Sequence, residues 1–435
     1  MNHTVQTLKD QGQQRGLEKL TAATMATAAG LSLCLLTGGV DRPYVYGLTD
    51  TLRSLGMKTD LIGSNELDEP DLRNMPGVNF LNLRGDLRPN VRFFAKVFRI
   101  LAYYSKLIAY AASAKPKIFH ILWNNKFETF DRTFLMLYYK LMGKRVVFTA
   151  HNVNKRRRDS RDSFLNRLTL RIQYRLADHI FVHTEKMKAE LMDQFGVSTD
   201  RASVIPFGIN NSVPNTPLTT KEARQRLGVG HDDKAILFFG RIKPYKGLEY
   251  LIAAFRMLAG RSVDYRLIIV GRLEEGCEQN WESMRKQVQE YIDAGRITLR
   301  IEFIPDFEVE LYFKACDVLI LPYKEIFQSG VIFLGYSFGL PAIIADVGSL
   351  KDEVVEGKNG FVFSPEDPND LARAIEQYFD SDLFADLERQ RSEIRDYALQ
   401  RHSWAIVGQQ TLSVYRTLLG NGRPSHANGR VSSVS

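Results

Sequence analysis

The sequence predicts an α/β protein made of two doubly wound parallel sheets in tandem, facing each other across a cleft. Short apolar runs alternate with amphipathic helical stretches from residue 31 onward, which is typical of a parallel sheet covered by helices on both faces. The alternation pauses at 211–218, where two prolines occur and no apolar periodicity is found, and then restarts. We therefore expect this segment to link two domains.

The strands follow from the apolar runs. In the first domain these predict strands at 31–36, 59–62, 118–121, 145–149, 179–182 and 203–205. In the second domain they predict strands at 235–239, 266–270, 299–303, 318–321 and 342–345, with helices near 248–259, 282–294, 308–316, 331–338 and 368–379. Doubly wound sheets bind ligands at the carboxyl ends of their strands, so functional residues are expected in the loops that follow.

Domain boundaries can be placed from the same pattern. Residues 1–30 are expected to form a flexible extension, 31–212 the first domain and 213–400 the second domain. A last helix at 401–420 is expected to pack back on the first domain, and the tail at 421–435 to be disordered. The uncharged stretch 20–40 is diluted by Ala, Thr and Gly, which favours neither a spanning helix nor a secretory signal. We expect a cytoplasmic protein.

Composition narrows the function classes. The 435 residues are 44% hydrophobic and 25% charged, as in ordinary globular proteins. The three cysteines, Cys34, Cys277 and Cys316, lie far apart, which excludes a disulfide framework and fits a reducing compartment. The sequence contains no HExxH or paired-cysteine pattern, no Walker loop and no Gly-x-Ser-x-Gly elbow. We therefore predict no essential metal ion and disfavour hydrolase and ATPase functions.

Positive charge is concentrated in the first half of the chain. Residues 1–220 contain 31 Lys and Arg against 19 Asp and Glu, whereas residues 221–435 contain 27 against 31. One helical stripe is formed by Arg92, Lys96, Arg99 and Lys106. It predicts either a helix that lies on an anionic membrane surface or a core-packed helix with a solvated basic side. No nucleic-acid-reading motif is present, so nucleic acid is not an expected partner.

Two loops of the second domain carry residues suited to a diphosphate. A buried strand ends at Gly240, and Arg241 and Lys246 follow in a loop that leads into a helix. Cations at such a position can hold phosphate groups, although a solvated basic loop is the alternative. A second helix is preceded by three residues whose backbone N–H groups would face the same cleft: Gln328, Ser329 and Gly330.

The first domain offers residues for the opposite side of the cleft. Gly38 and Gly39 follow the first strand directly and would allow a ligand to approach the backbone closely. His151 ends a predicted strand on the cleft side, where an active-site role competes with a structural one. His120 and His183 also lie at or near strand ends, and we rank both below His151.

Four ordered motifs of the second domain, FFGRIKPYKG, QSG, GLPAIIADVGSLKDEV and NGFVF, resemble the donor half of family 4 glycosyltransferases, which are retaining enzymes of the GT-B fold. The resemblance implies a UDP- or GDP-sugar donor in the second domain, with Arg241 and Lys246 on its diphosphate and the amides of Ser329 and Gly330 assisting. It also places His151 close to the transferred sugar, and it makes the first domain the acceptor side.

The sequence departs from the family at one point. Many members carry two glutamates eight positions apart, and these positions hold Ile326 and Leu334 here. Glu325 is either a displaced carboxylate or a solvated loop acid. This QSG-type variant leaves the donor open.

The resemblance implies a retaining hexosyltransferase that acts on a glycan or a lipid-linked glycan, free in the cytoplasm or peripheral on the inner face of the membrane. Retention would proceed by front-face attack, because the site holds few carboxylates. A non-catalytic sugar-nucleotide-binding module and a sugar-nucleotide epimerase are the alternatives. Gly38, Gly39 and His151 favour the enzyme.

Overall fold

The computed structural model describes residues 30–38, 41–86, 93–158, 162–210 and 213–420. The first sheet contains seven parallel strands in the order β3-β2-β1-β4-β5-β6-β7. Strands β4 and β6 are buried along their whole length, as expected where helices cover both faces. The strands are β1 Ser32–Leu36, β2 Lys58–Gly63, β3 Val78–Asn82, β4 Ile118–Ile121, β5 Arg145–Thr149, β6 His179–Val182 and β7 Ala202–Val204.

Helices of the first domain cover both faces of this sheet. They are α1 Arg42–Ser54, α2 Pro70–Arg73, α3 Phe93–Ser113, α4 Glu128–Phe130, α5 Met136–Leu141, α6 Lys155–Arg158, α7 Phe164–Leu176 and α8 Glu185–Phe195. A π-helical turn, Asp131–Leu135, joins α4 to α5. Leu107 of α3, Met136 of α5, Leu170 of α7 and Leu191 of α8 belong to one buried cluster. These four helices therefore share one face of the sheet.

The second sheet contains six parallel strands in the order β10-β9-β8-β11-β12-β13. They are β8 Lys234–Phe239, β9 Tyr265–Val270, β10 Ile297–Arg300, β11 Val318–Leu321, β12 Ala342–Ala345 and β13 Gly360–Phe363. Its helices are α9 Thr220–Leu227, α10 Leu248–Arg261, α11 Glu278–Lys286, α12 Gln289–Asp293, α13 Asp306–Ala315, α14 Gly330–Ser337, α15 Pro368–Phe379, α16 Asp382–Ala385 and α17 Leu387–His402. The two sheets confirm the predicted fold class of two doubly wound domains.

The sequence prediction was wrong at four elements. Strands β3 and β13 were not expected, because β3 is partly exposed and contains two asparagines and β13 begins with glycine. The strand expected at 299–303 begins earlier, as β10. The helix expected at 282–294 is divided into α11 and α12, because Val288 leaves the helical conformation with φ −124°.

A final helix, α18 Trp404–Leu418, returns to the first domain. The indole of Trp404 packs against Gly47 and Gly208, since a Cβ at either glycine would lie within 2.4 Å of the ring. Its Nε1 donates to the carbonyl of Ile209 at 2.9 Å. Further along, the Tyr415 hydroxyl lies 2.6 Å from His120 Nδ1 of β4. The expectations for 1–29 and 421–435 lie outside the described residues.

Candidate functional site

The loop after β8 forms the floor of the second-domain site. Gly240 has φ +111°, a conformation that favours glycine. A Cβ built there would stand 3.6 Å from Val331 and 3.8 Å from Lys246 Nζ, so the backbone passes close to both. Gly247 has φ +65°, and a Cβ there would lie 1.8 Å from the carbonyl oxygen of Pro322. These two glycines let the loop pack against the residues that follow β11.

Lys246 is buried against the start of α14. Its Nζ donates to the Tyr323 hydroxyl at 2.5 Å and stands 4.2 Å from the centre of the Tyr323 ring. That hydroxyl is 3.1 Å from Ser329 Oγ, which caps α14 by accepting from Val331 N at 3.3 Å. Burial raises the pKa of Tyr323, which stays protonated. The structure therefore joins an ammonium group to a helix N-terminus, a combination that suits an anion.

Arg241 has a different environment from Lys246. Its side chain is 69% exposed, and Nη1 lies 3.7 Å from Glu274. The same carboxylate is 2.9 Å from Lys243 Nζ. Gly330, the first residue of α14, faces the other domain, because a Cβ there would lie 3.6 Å from the Phe207 ring. Lys246 and Ser329 thus contact the same Tyr323 hydroxyl, whereas Arg241 lies at the exposed edge of the site.

Gln328 is held by residues that the sequence did not indicate. Its Nε2 donates to Glu353 Oε1 at 3.1 Å. The other oxygen of Glu353 lies 3.0 Å from Nε2 of buried His402, the last residue of α17. The His402 ring is 4.4 Å from that of Phe333. No local pattern could reveal this chain of contacts, since its members lie up to 74 residues apart.

His151 belongs to an aromatic cluster of the first domain. Its ring stacks on Trp123, with centroids 4.2 Å apart and planes 6° apart. His151 Nδ1 lies 3.0 Å from His183 Nε2, and Tyr44 contacts the ring edge-on at 4.7 Å. Burial, and then the neighbouring His183, hold the pKa of His151 well below its usual range, so the ring is neutral. Its buried Nε2 has no hydrogen-bond partner within the residues that the structure describes.

Trp123 could have been found by the strand-end rule, since it follows β4 by two residues. It also explains Gly38, whose φ is +39°. A Cβ on Gly38 would stand 1.9 Å from the carbonyl oxygen of Trp123. The Gly38 carbonyl in turn accepts from Arg84. Gly39 lies outside the described residues. The close approach at Gly38 is therefore to the protein's own backbone.

His120 and His183 are internal side chains. His120 Nε2 lies 2.7 Å from Thr149 Oγ1, in addition to the contact with Tyr415. His183 Nδ1 lies 3.2 Å from the carbonyl of Ile205. Burial lowers the pKa of His120 to about 3 and that of His183 to about 4. His183 orients His151, and His120 ties β4 to α18.

A cavity of about 500 Å³ lies between the domains. Lys186 and Glu190 of α8 line one side, and Lys186 Nζ donates to the Gly348 carbonyl across the interface at 3.2 Å. Glu325 and Ile326 line the other side. Glu325 therefore faces an interdomain space. Among the described residues, no group of three or more His, Cys, Asp or Glu could hold a metal ion.

Comparison with family models matches each domain separately. Residues 37–213 match the model described as Glycosyltransferase Family 4, and residues 219–401 match the one described as Glycosyl transferases group 1. The chain is therefore built of the two domains of a family 4 type glycosyltransferase with the GT-B fold.

Curated relatives carry related names. The D-inositol 3-phosphate glycosyltransferase of Acidothermus cellulolyticus is 30% identical over 264 residues, which are 59% of this chain and 57% of that protein. The protein of the same name from Corynebacterium aurimucosum is 26% identical, over 62% of this chain and 65% of its own length. The matches thus span between about half and two thirds of these relatives.

Solved structures share the fold over nearly the whole chain. Sucrose-phosphate synthase from Thermosynechococcus elongatus is 20% identical with a TM-score of 0.71, and the match covers 90% of this chain and 100% of that one. Anabaena HepE in complex with UDP and glucose is 18% identical with a TM-score of 0.68, covering 89% and 99%. At these identities the likeness shows the fold alone.

Proposed function

We propose that the protein transfers a hexose from a nucleoside-diphosphate sugar to a hydroxyl acceptor, with retention at the anomeric carbon. The observation that carries the proposal is the joining of the Lys246 ammonium to the N-terminus of α14 through Tyr323 and Ser329. Negative charge develops on a departing diphosphate, and a preorganised cation and helix dipole stabilise that charge where it appears. The solved structure of Anabaena HepE holds UDP and glucose in the same fold.

The donor would lie along the second-domain edge. Lys246 and the start of α14 would hold the diphosphate, and Arg241 would reach it from the rim by exchanging Glu274 for a phosphate. The donor in this proposal is a UDP-sugar or a GDP-sugar. Because the diphosphate is held by cations and backbone N–H groups, the proposed mechanism uses no metal ion.

The sugar would face the first domain. His151 is neutral, and its Nε2 is a buried polar atom with no partner within the described part of the chain. A buried polar atom without a hydrogen bond destabilises the folded protein. A hydroxyl of the sugar or of the acceptor would supply the missing hydrogen bond to His151 Nε2. The interdomain cavity beside Glu325 would then receive the acceptor. The relatives are named D-inositol 3-phosphate glycosyltransferase. Because inositol carries hydroxyl groups, that name supports an acceptor of the hydroxyl type.

Thermal denaturation with a panel of UDP- and GDP-sugars, in EDTA, tests the proposal. One donor at about a hundred times its dissociation constant should stabilise the native state by roughly 2.7 kcal/mol. Absence of any shift across the panel contradicts the donor site, and a shift only after Mg²⁺ is added contradicts the metal-free mechanism. A shift without hydrolysis or transfer of the sugar indicates a non-catalytic binding module.

A further inference from the structure

One aromatic side chain at the junction of the two domains contacts both of them. Phe207 follows β7 by three residues and lies in the segment through which the chain leaves the first domain. Its partly buried side chain packs against a buried core cluster of the first domain and against the core cluster of the second. A shift of Phe207 would therefore disturb the packing of both domains.

On the side of the first domain, the segment that contains Phe207 holds His183 at two points. The Phe207 ring meets the His183 ring edge-on, with centroids 5.0 Å apart. The carbonyl of Ile205 lies 3.2 Å from Nδ1 of the same histidine. Because His183 Nε2 lies 3.0 Å from His151 Nδ1, this segment fixes the ring that orients His151. Phe207 and His151 also lie close to each other, with ring centroids 6.2 Å apart.

On the side of the second domain, Phe207 packs on the first turn of α14. Its ring is nearly parallel to that of Phe333, with centroids 5.7 Å apart and planes 11° apart. Phe333 is fully buried in the core of the second domain. Protein interiors are closely packed, so a change in the position of the Phe207 ring must be taken up by Phe333 and by the helix that carries it.

These contacts place Phe207 next to both parts of the proposed site. Ser329 caps α14, whose first N–H groups would face the diphosphate, and Phe333 lies one turn further along that helix. His151, whose Nε2 would meet a sugar hydroxyl, belongs to the first domain. Sugar transfer requires these two parts to be held at a fixed separation. Phe207 packs against a close neighbour of each.

We propose that Phe207 is a positioning residue that sets the location of His151 relative to the start of α14. It acts through the His183 ring in one domain and the Phe333 ring in the other, and not through the reacting atoms. The proposal rests on the proposed sugar transfer, because it gives Phe207 a role in bringing the donor sugar to His151. A displacement of about 1 Å at a reacting group can lower a rate by about a hundredfold.

Three single variants of the full chain test the proposal. F207L removes the ring but keeps an apolar side chain, and F207Y keeps the ring. The matched control is F384L. Phe384 is also partly buried and contacts two rings, those of Tyr378 and Phe379, with centroids 5.7 and 4.8 Å away, but it packs within the second domain. Thermal denaturation checks that all three variants fold.

F207L should lose at least about tenfold in turnover of the donor that the wild type uses. Its dissociation constant for UDP or GDP should stay unaltered, because Lys246, Tyr323 and Ser329 are bonded to one another within the second domain. F207Y should retain most of the turnover, and F384L should change neither quantity. Equal turnover in the wild type and F207L overturns the proposal, as does an equal loss in F207L and F207Y or in F207L and F384L.

A double-mutant cycle with His151 tests how Phe207 acts. Once H151A has removed the ring that Phe207 positions, F207L should lower turnover by no more than about twofold further. Losses that multiply in the double variant would show a general structural role and overturn the proposal, while the proposed function stands. A wild type that turns over no donor overturns the proposed function and the positioning role together, so the activity of the wild type distinguishes the two failures.

Discussion

Removing the charge of Lys246 is the most direct test of the site. Lys246→Met keeps an unbranched side chain over the Tyr323 ring but deletes the Nζ that donates to the hydroxyl at 2.5 Å. Lys234→Met is the matched control. Lys234 also packs on aromatic rings, with Nζ 5.2 Å from the centre of Tyr265, but it lies at the amino end of β8, away from the site.

The expected size of the effect follows from the position of the group. A hydrogen bond that involves a charged group contributes about 1.5–3 kcal/mol. Loss of the Lys246 ammonium should therefore weaken the binding of UDP or GDP by roughly ten- to a hundredfold. Turnover should fall by about a hundredfold or more, because the leaving diphosphate carries more charge in the transition state than in the bound donor.

Isothermal titration with UDP and with GDP measures the affinity, and release of nucleoside diphosphate from the donor measures turnover. Lys246→Met should lose affinity for whichever nucleotide the wild type binds, while Lys234→Met retains it. An unchanged dissociation constant in Lys246→Met would show that the diphosphate lies elsewhere. Thermal denaturation checks that both variants fold, because Lys246→Met also removes a hydrogen bond to the buried Tyr323 hydroxyl.

Two further predictions concern the histidines. His151→Ala should lose at least about tenfold in turnover, roughly 1.4 kcal/mol, with an unaltered dissociation constant for UDP or GDP; a parallel collapse of nucleotide affinity would move His151 out of the sugar pocket. The pKa values of His120, about 3, and His183, about 4, lie below the unfolded value of about 6.5. The unfolded chain therefore binds more protons than the native state below about pH 6.5, and each histidine should cost about 2 kcal/mol of stability at pH 5 relative to pH 7. Denaturation at both pH values should show this loss, and His183→Asn should reduce the slope; parallel slopes contradict the prediction.

The buried strands could be predicted with their bounds, whereas the edge strands could not. Strands β4, β5, β11 and β12 begin and end at the expected residues, because continuous apolar runs mark sheet interiors. Strand β3, Val78–Asn82, includes two asparagines and is partly exposed, so its pattern resembles a loop. At an edge, a strand is defined by its one neighbour more than by its own composition.

The same distinction applies to the site. Lys246 and His151 could be predicted as site residues from the sequence, because each lies in a loop that follows a strand. The partners that orient them are Tyr323 and Trp123, and these also follow strands, but a tyrosine or tryptophan after a strand is common and carries no chemistry by itself. Their importance lies in the hydrogen bond to Lys246 and the stack on His151. Such contacts require the packed structure.

The contact between Glu353 and His402 links the loop before α14 to the two chain segments that connect the domains. His402 ends α17, and its carbonyl accepts from Ile209 N at 2.9 Å, so the segment that leaves the first domain is bonded to the segment that returns to it. Glu353 connects this pair of segments to Gln328, because one of its oxygens contacts His402 and the other contacts Gln328. Only Oε1 of Glu353 has a hydrogen bond, to Gln328, whereas Oε2 and His402 Nε2 lie 3.0 Å apart and neither has a hydrogen-bond partner among the described residues. Glu353 therefore couples the position of Gln328 to the end of α17 through one hydrogen bond and one close contact, so a shift of Gln328 relative to α17 must change at least one of the two.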